Sequence, residues 1–407
     1  MSRLLSTALL ALAALAIPLR AEPAVVVSLS SVGGRIRAQN PDLAAARLRI
    51  QEAVGRMNQS GRLANPELET SLEHNPRFRE GKFEFGISQR FPITDRLRLE
   101  KQISQTELDA AEAEVREVGR KLTGQAREAV VKILANRQRR ELMREQSGVS
   151  GDFAKFLSDI SAKGEGSPLD AGQAKLEAAS LAMEMRQLDA AESALVGELK
   201  PLLGMRPGEA LSVGGTLPEA TLPGTGADPS RRPDFQAAKL DALAAKQGVA
   251  LEQARRYDDV EGGFFTGVER TEDAPEGFEN EAIVGIRFKV ALPFWNKNEG
   301  AIQEAEAKQQ RKEKEAIALS RSIRLEAEAA RSEMGEWAKM IAEINDTLLP
   351  LADEQAAFAE TTFRNGQGEI QSVLRSREKR LQLAAARLDA LREFHLARAR
   401  HETALGK

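Results

Sequence analysis

Side chains that could do chemistry are few in this chain, and they are spaced too far apart to act together. The three histidines, His74, His395 and His401, lack any metal-ligand spacing such as H-E-x-x-H. There is no cysteine, which removes disulfides, thiolate metal sites, cysteine nucleophiles and an acyl chain linked through sulfur. Lys163-Gly164-Glu165-Gly166-Ser167 looks at first like a phosphate loop but lacks the Gly-Lys-Ser/Thr ending. Charge runs such as Gln309–Glu315 read as solvated helix faces with i,i+4 pairs. A net charge of −3 gives no basic footprint for nucleic acid. The reading is a protein with no catalytic residues, no cofactor and no metal ligands, so its function must lie in its shape.

The elements around these residues are unusual. Of 407 residues, 42% are hydrophobic and 29% charged, yet only 4% are aromatic. A composition led by Ala, Leu, Glu, Arg and Gln favours long helices and coiled coils over a compact mixed fold. At the N-terminus, Arg3 precedes an apolar run from Leu4 to Leu15, followed by Pro18 and Ala21. That order describes a secretory signal peptide over residues 1–21. The run is shorter than the ~20 residues a spanning helix needs.

The chain repeats itself. Asn40-Pro41-Asp42-Leu43 and Arg232-Pro233-Asp234-Phe235 each open a helical stretch, with Pro in the first turn and Asp beside it at the positive end of the dipole. Lys163-Gly164-Glu165-Gly166-Ser167-Pro168 and Asn365-Gly366-Gln367-Gly368-Glu369-Ile370 each break two long helices. This organises the chain as a first repeat over 22–203, a Pro/Gly-rich linker over 204–231 and a second repeat over 232–407. Each repeat holds a helix, a β-hairpin and a long helical hairpin.

The long helices carry seams. Ile323, Ala327, Ala330, Met334, Trp337, Ile341, Ile344, Leu348 and Leu351 alternate steps of four and three, as do Leu108, Ala111, Val115, Val118 and Leu122. Leu181, Leu188, Leu195 and Leu202 recur every seven residues, and so do Leu374, Leu381, Leu388 and His395. A helix from about Asp95 to Ser161 would run about 100 Å at 1.5 Å per residue. Between the short helix and the rod of each repeat lie alternating segments. Phe83, Phe85, Ile87 and Phe91 interleave with Glu84, Gly86, Ser88 and Arg90; Val284, Ile286, Phe288, Val290 and Leu292 interleave with Gly285, Arg287, Lys289 and Ala291. Leu68 and Leu72, and Val260, Phe264 and Val268, alternate in the same way, with hairpins across 75–82 and 270–281. Such segments match transmembrane barrel strands, with Phe83, Phe85, Ile87, Val284, Ile286 and Phe288 toward lipid and the charges toward water. Four strands cannot close a barrel, and an open edge in lipid leaves N–H and C=O groups unpaired at several kcal/mol each. The strands must therefore be shared among chains: two would give eight strands, and three would give twelve with a water-filled lumen.

In this order, Asn40-Pro41-Asp42, Asn65-Pro66-Glu67-Leu68, Gly86-Ile87-Ser88-Gln89, Arg232-Pro233-Asp234 and Leu292-Pro293-Phe294-Trp295-Asn296-Lys297-Asn298-Glu299-Gly300 resemble the TolC-type outer membrane efflux proteins. Leu348-Leu349-Pro350-Leu351 and Phe363-Arg364-Asn365-Gly366 resemble them too, and the wording of the first half looks closest to the heavy-metal cation branch. The resemblance implies a homotrimer in the outer membrane of a Gram-negative cell: a twelve-stranded barrel above a periplasmic tunnel of helices. It implies an adaptor protein and an inner-membrane pump of the resistance-nodulation-division type as partners, and the 204–230 segment as a belt beside the rods. Gly164, Gly166, Ser167, Gly366 and Gly368 would be the periplasmic tips that narrow, open and meet the adaptor. Gly suits the tight reversal, and Ser167 before Pro168 can cap the returning helix. Some members carry aspartates after the second tip; here Ser372 and Arg375 stand at the matching positions, and Asp170 holds the equivalent place after the first tip. These three are the pore-constriction candidates, with Arg375 facing the lumen, lying on a solvated face or forming an ion pair between protomers.

Two further readings share some of these features. A periplasmic adaptor or structural coiled coil would have the signal peptide and heptads but would lack two lipid-compatible hairpins. An outer-membrane duct of a type I secretion system would look much like an efflux channel, because a duct leaves selection of its cargo to the inner-membrane pump.

Overall fold

A computed structural model describes residues 24–406 except 225, 227 and 274; the signal-peptide stretch 1–21 lies outside the described residues. The short strand β1 (Val25–Val27) and helix α1 (Val32–Gln39) precede α2 (Pro41–Gln59). Strands β2 (Glu67–His74) and β3 (Gly81–Phe91) lead into α3 (Arg96–Ala162) and α4 (Pro168–Leu202). After β4 (Leu211–Val213) the plan recurs as α5 (Pro233–Ala254), β5 (Val260–Asp273), β6 (Gly277–Lys289), α6 (Glu299–Glu343), α7 (Leu349–Arg364) and α8 (Ile370–Ala404). The fold is mainly α with a small β portion.

Local chemistry explains where the elements begin. The Asn40 side chain accepts from the Leu43 N–H at 2.8 Å while its amide donates to the Leu202 carbonyl at 2.8 Å, so one residue caps α2 and holds the end of α4. Pro41, Pro168 and Pro233 occupy first-turn positions, where a missing N–H costs nothing. With 67 residues, α3 is a rod of about 100 Å. Leu108, Ala111 and Val115 seat it against α2. Farther along, Val130, Ile133 and Leu134 meet Val32 and Ile36 of α1, Leu199, Met334, Ile341 and Phe394 in the largest core. β1 and β4 pair in parallel over that core, with Val27 opposite Val213, and Leu217 is buried there, so residues 205–220 lie against the rods at mid-length.

The seam beginning at Ile323 holds through Ala327, Ala330, Met334, Ile341 and Ile344, all buried. It does not reach Leu351, which is 50% exposed, whereas Ala352 is buried. A π-helical turn over Ile344–Leu348 adds one residue and rotates the frame. Pro350 follows it, and a proline cannot donate back to the preceding turn. On α4, Leu181 is buried but Leu188, Leu195 and Leu202 are only half covered; Leu199 and Leu203 enter the core instead.

Candidate functional site: the inverted sheet and the helical tips

Four strands form one antiparallel sheet in the order β2-β3-β5-β6, so the two hairpins of the repeats join through β3 and β5. Leu68 pairs with Ile87, Ile87 with Phe264 and Phe264 with Ile286, which puts one apolar residue from every strand in a row on the same face. Phe83, Phe85, Ile87, Val284, Ile286 and Phe288 all stand on that face, between 41% and 73% exposed. The opposite face is charged and more covered: Ser88 is buried and the Glu84 side chain is 13% exposed. A sheet of a water-soluble protein shows the reverse, because apolar burial drives folding. β6 ends at Lys289, so Val290 and Leu292 lie past the strand, and the second turn is tight because β5 runs to Asp273 and β6 starts at Gly277.

The charged face is cross-braced. Arg90 lies between Glu67 at 3.2 Å and Glu261 at 3.4 Å, and Lys82 meets Glu84 at 2.7 Å. Arg287 on β6 reaches Glu69 on β2 at 3.0 Å, with its guanidinium over the Phe265 ring at 5.1 Å. β2 and β6 are opposite edges, about 14 Å apart in a flat sheet of 4.8 Å spacing. Side chains can bridge that span because the sheet curls toward its charged side. Among the described residues the outer edges of β2 and β6 pair with no strand.

At the far end of the rods both helical hairpins reverse with one geometry. Gly164 has φ +80 and Gly366 φ +73; Glu165 N–H donates to the Ile160 carbonyl and Gln367 N–H to the Thr362 carbonyl, each at 3.1 Å. These are paired Schellman closures, which need a residue with positive φ. A Cβ at Gly166 would come within 3.3 Å of the Ser161 nitrogen, and one at Gly368 within 3.2 Å of the Phe363 nitrogen. Ser167 does occupy the N-cap position, yet its hydroxyl makes no capping bond; Pro168 supplies the preset helical φ. Asp170 is half-buried in the first turn of α4, while Ser372 and Arg375 are exposed on α8, with Arg375 bonded to Gln371 at 3.2 Å. The two tips are brought together by Phe153, Leu157, Ala171, Ala174, Ile370 and Val373.

Behind the tips lies a cluster that the heptad reading missed. The Arg377 guanidinium sits 4.4 Å from the Phe153 ring centre and 2.9 Å from Glu360, and Phe153 meets Phe363 edge to face at 6.1 Å. Hydrogen bonding from Arg377 holds the Glu360 carboxyl below its ordinary range. Burial raises Glu177 despite the nearby Arg377 charge. A second missed group is Arg232, buried at the start of α5 and bound to Asp234 at 2.5 Å and Glu326 at 2.7 Å. Burial alone would raise the Asp234 carboxyl, but the Arg232 bonds outweigh it and lower it. Neither partner of Arg377 nor Glu326 is near in sequence, so no local spacing announces them. His395 is buried, with Nε2 2.8 Å from the Pro218 carbonyl, and burial lowers its pKa; His74 is the exposed last residue of β2. Among the described residues no His, Asp and Glu side chains group to hold a metal ion, and no helix is long and apolar enough to cross a membrane.

No family model matches the chain. A curated relative, the cobalt-zinc-cadmium resistance protein CzcC of Cupriavidus metallidurans, is 23% identical over 378 residues, covering 90% of this chain and 87% of its own. Among solved structures, the outer-membrane channel OprN superposes with a TM-score of 0.76 at 18% identity, covering 93% of this chain and 89% of that one. CusC, described with its transmembrane channel formation, gives 0.75 at 16%, covering 93% and 92%. The outer membrane protein VceC of Vibrio cholerae gives 0.72 at 21%, covering 93% and 96%. The chain has the fold of these outer-membrane channels.

Proposed function

We propose that this protein is the outer-membrane channel subunit of a tripartite efflux pump, working as a homotrimer in a Gram-negative cell. The observation that carries the reading is the inverted sheet: an exposed, uncharged apolar row across all four strands, with two unpaired edges. Hydrocarbon accommodates the row, and only another chain satisfies the edges. Three copies give twelve strands, a lumen wide enough for water and a wall of lumenal ion pairs. The rods continue that lumen through the periplasm. Its work is passive conduction, with no catalysis; an inner-membrane pump of the resistance-nodulation-division type supplies the energy and a periplasmic adaptor joins the two. Gly164, Gly166, Ser167, Gly366 and Gly368 form the adaptor-docking tips, and Asp170, Ser372 and Arg375 border the narrow end.

The cargo we propose is a divalent metal cation. Its support is the likeness to CzcC over nine-tenths of the chain. Deleting the gene should lower tolerance to cobalt, zinc or cadmium, and the wild-type chain should restore it together with channel activity in planar bilayers. Restored conductance with unchanged metal tolerance would refute the cargo and leave the channel. A purified protein that inserts without conducting would refute the duct.

A further inference from the structure

Two apolar stripes on the rods stay uncovered. Leu169, Leu176 and Met183 of α4 recur every seven residues and are 69%, 73% and 61% exposed. By helical angle they lie opposite Ala171, Ala174 and Leu181, which are buried in the cores shared with α3 and α8. Leu351 and Phe358 of α7 are also seven residues apart and are 50% and 73% exposed. Among the described residues none of these five side chains joins a core.

The α7 stripe is displaced by the π-helical turn. A regular seam continued from Ile344 would turn Leu351 and Phe358 inward. The extra residue turns Ala352 and Ala359 inward instead and leaves the two large side chains about 100° round the helix. Alanines facing in and Leu and Phe facing out reverse what a helix packed only within its own chain would hold. α4 and α7 are also the outer helices of the rods: α4 packs along α3, α7 along α8, and α3 meets α8 between them.

We propose that these stripes close on each other between copies of the chain, Leu176 against Phe358 of the partner subunit and Met183 against Leu351 of the partner subunit. The proposal rests on the homotrimer reading above. The levels agree. Ala174 and Ala359 share the core at the tips. Leu176 stands two residues above Ala174 and Phe358 one above Ala359, so the two differ by about 1.5 Å along the rods. Met183 stands nine above and Leu351 eight above, with the same small offset. A threefold axis along the rods keeps every copy at one height, so the match carries over to the neighbour. α4 rises from the tips and α7 descends to them, and equal seven-residue periods keep the two stripes in step. Charge favours this pairing over α4 against α4: exposed Lys175 and Arg186 flank the α4 stripe, and exposed Asp353 and Glu354 flank that of α7. A contact between unlike edges also closes a ring, as a tunnel requires.

The chain has no cysteine, so introduced pairs report alone. The matched full-length variants are Leu176→Cys with Phe358→Cys and Met183→Cys with Leu351→Cys. The crossed ones are Leu176→Cys with Leu351→Cys and Met183→Cys with Phe358→Cys. After oxidation in outer-membrane vesicles, the matched pairs should shift from the one-chain to the three-chain band of a denaturing gel and return on reduction. The crossed pairs stand about 10 Å out of level, beyond the roughly 4–7 Å Cα separation of a disulfide, and should stay at one chain. Either matched pair suffices if the other lowers abundance. Failure of both matched pairs in a particle that light scattering shows to hold three chains overturns the seam and leaves the trimer. Crossed pairs that link as readily as matched ones overturn the register and with it the proposal. A one-chain particle overturns both the seam and the trimer.

Discussion

An arginine placed at Phe85 separates a membrane sheet from a water-exposed one by the size of its effect and its dependence on depth. Phe85 stands next to the middle of β3 (Gly81–Phe91) and is 41% exposed on the apolar face. On a water-soluble sheet an exposed Phe→Arg change would fall within about 0.5 kcal/mol of neutral. In lipid, arginine near the midplane costs about 2–4 kcal/mol, and near the interface about 0–1 kcal/mol. Phe91 is about 20 Å farther along the strand, or ~16 Å along the normal. Phe85→Arg should therefore destabilise each protomer by about 2–4 kcal/mol and Phe91→Arg by about 0–1 kcal/mol. Urea titration of folding into phospholipid vesicles, followed by strand signal, measures both. Glu84→Gln on the charged face serves as the face control. Equal costs for Phe85→Arg and Phe91→Arg, or a loss as large for Glu84→Gln, would refute the assignment of the faces.

Other expectations follow from the tips and the mid-length core. Gly366→Val forces a β-branched residue to φ +73 and should strain that turn by roughly 1–2 kcal/mol, abolishing pump-dependent resistance while outer-membrane trimer abundance stays at wild-type level. Arg375→Asp should shift single-channel selectivity toward cations in planar bilayers; an unchanged reversal potential would place Arg375 away from the pore. Because burial raises the Glu177 carboxyl in the folded state, its contribution to stability is full below the ordinary carboxylate range and is lost as pH rises through the raised value. Protection of the tip amides, taken relative to the intrinsic exchange rate at each pH, should therefore fall as pH rises above the ordinary carboxylate range, and Glu177→Gln should remove that fall. Arg232→Met strands Asp234 and the half-exposed Glu326, so thermal unfolding should report a loss of roughly 1–3 kcal/mol, unrescued by Arg232→Lys because one ammonium cannot hold both carboxylates in the same fork.

The features legible in the sequence were those with a local period. The alternation around Phe83–Phe91 located a strand because a pleat repeats every two residues, and the run from Ile323 to Ile344 located a packed helix stripe because a coiled seam repeats every three and a half. The failure at Leu351 is equally local: a single added residue in the π-helical turn before Pro350 shifted the buried stripe to Ala352. Contacts without a period stayed hidden. β1 and β4 are three residues each and pair across a long separation, so neither stands out against loop sequence. Arg377 differs from exposed Arg375 only in the helix face it occupies, and nothing near it in sequence indicates that Phe153 and Glu360 enclose it. The Gly-x-Gly breaks announced both reversals, yet the expected Ser167 hydroxyl cap is absent, although Asn40 caps α2 beside the equivalent Pro41.

The central claim is that the four-stranded sheet is one third of a closed barrel. Light scattering of the detergent-purified protein, with the detergent contribution subtracted, tests it most directly. Three chains of at most about 44 kDa each should travel as one particle with strand signal intact. A particle of one chain that keeps its strands would mean that the edges of β2 and β6 need no partner, and the barrel would be contradicted.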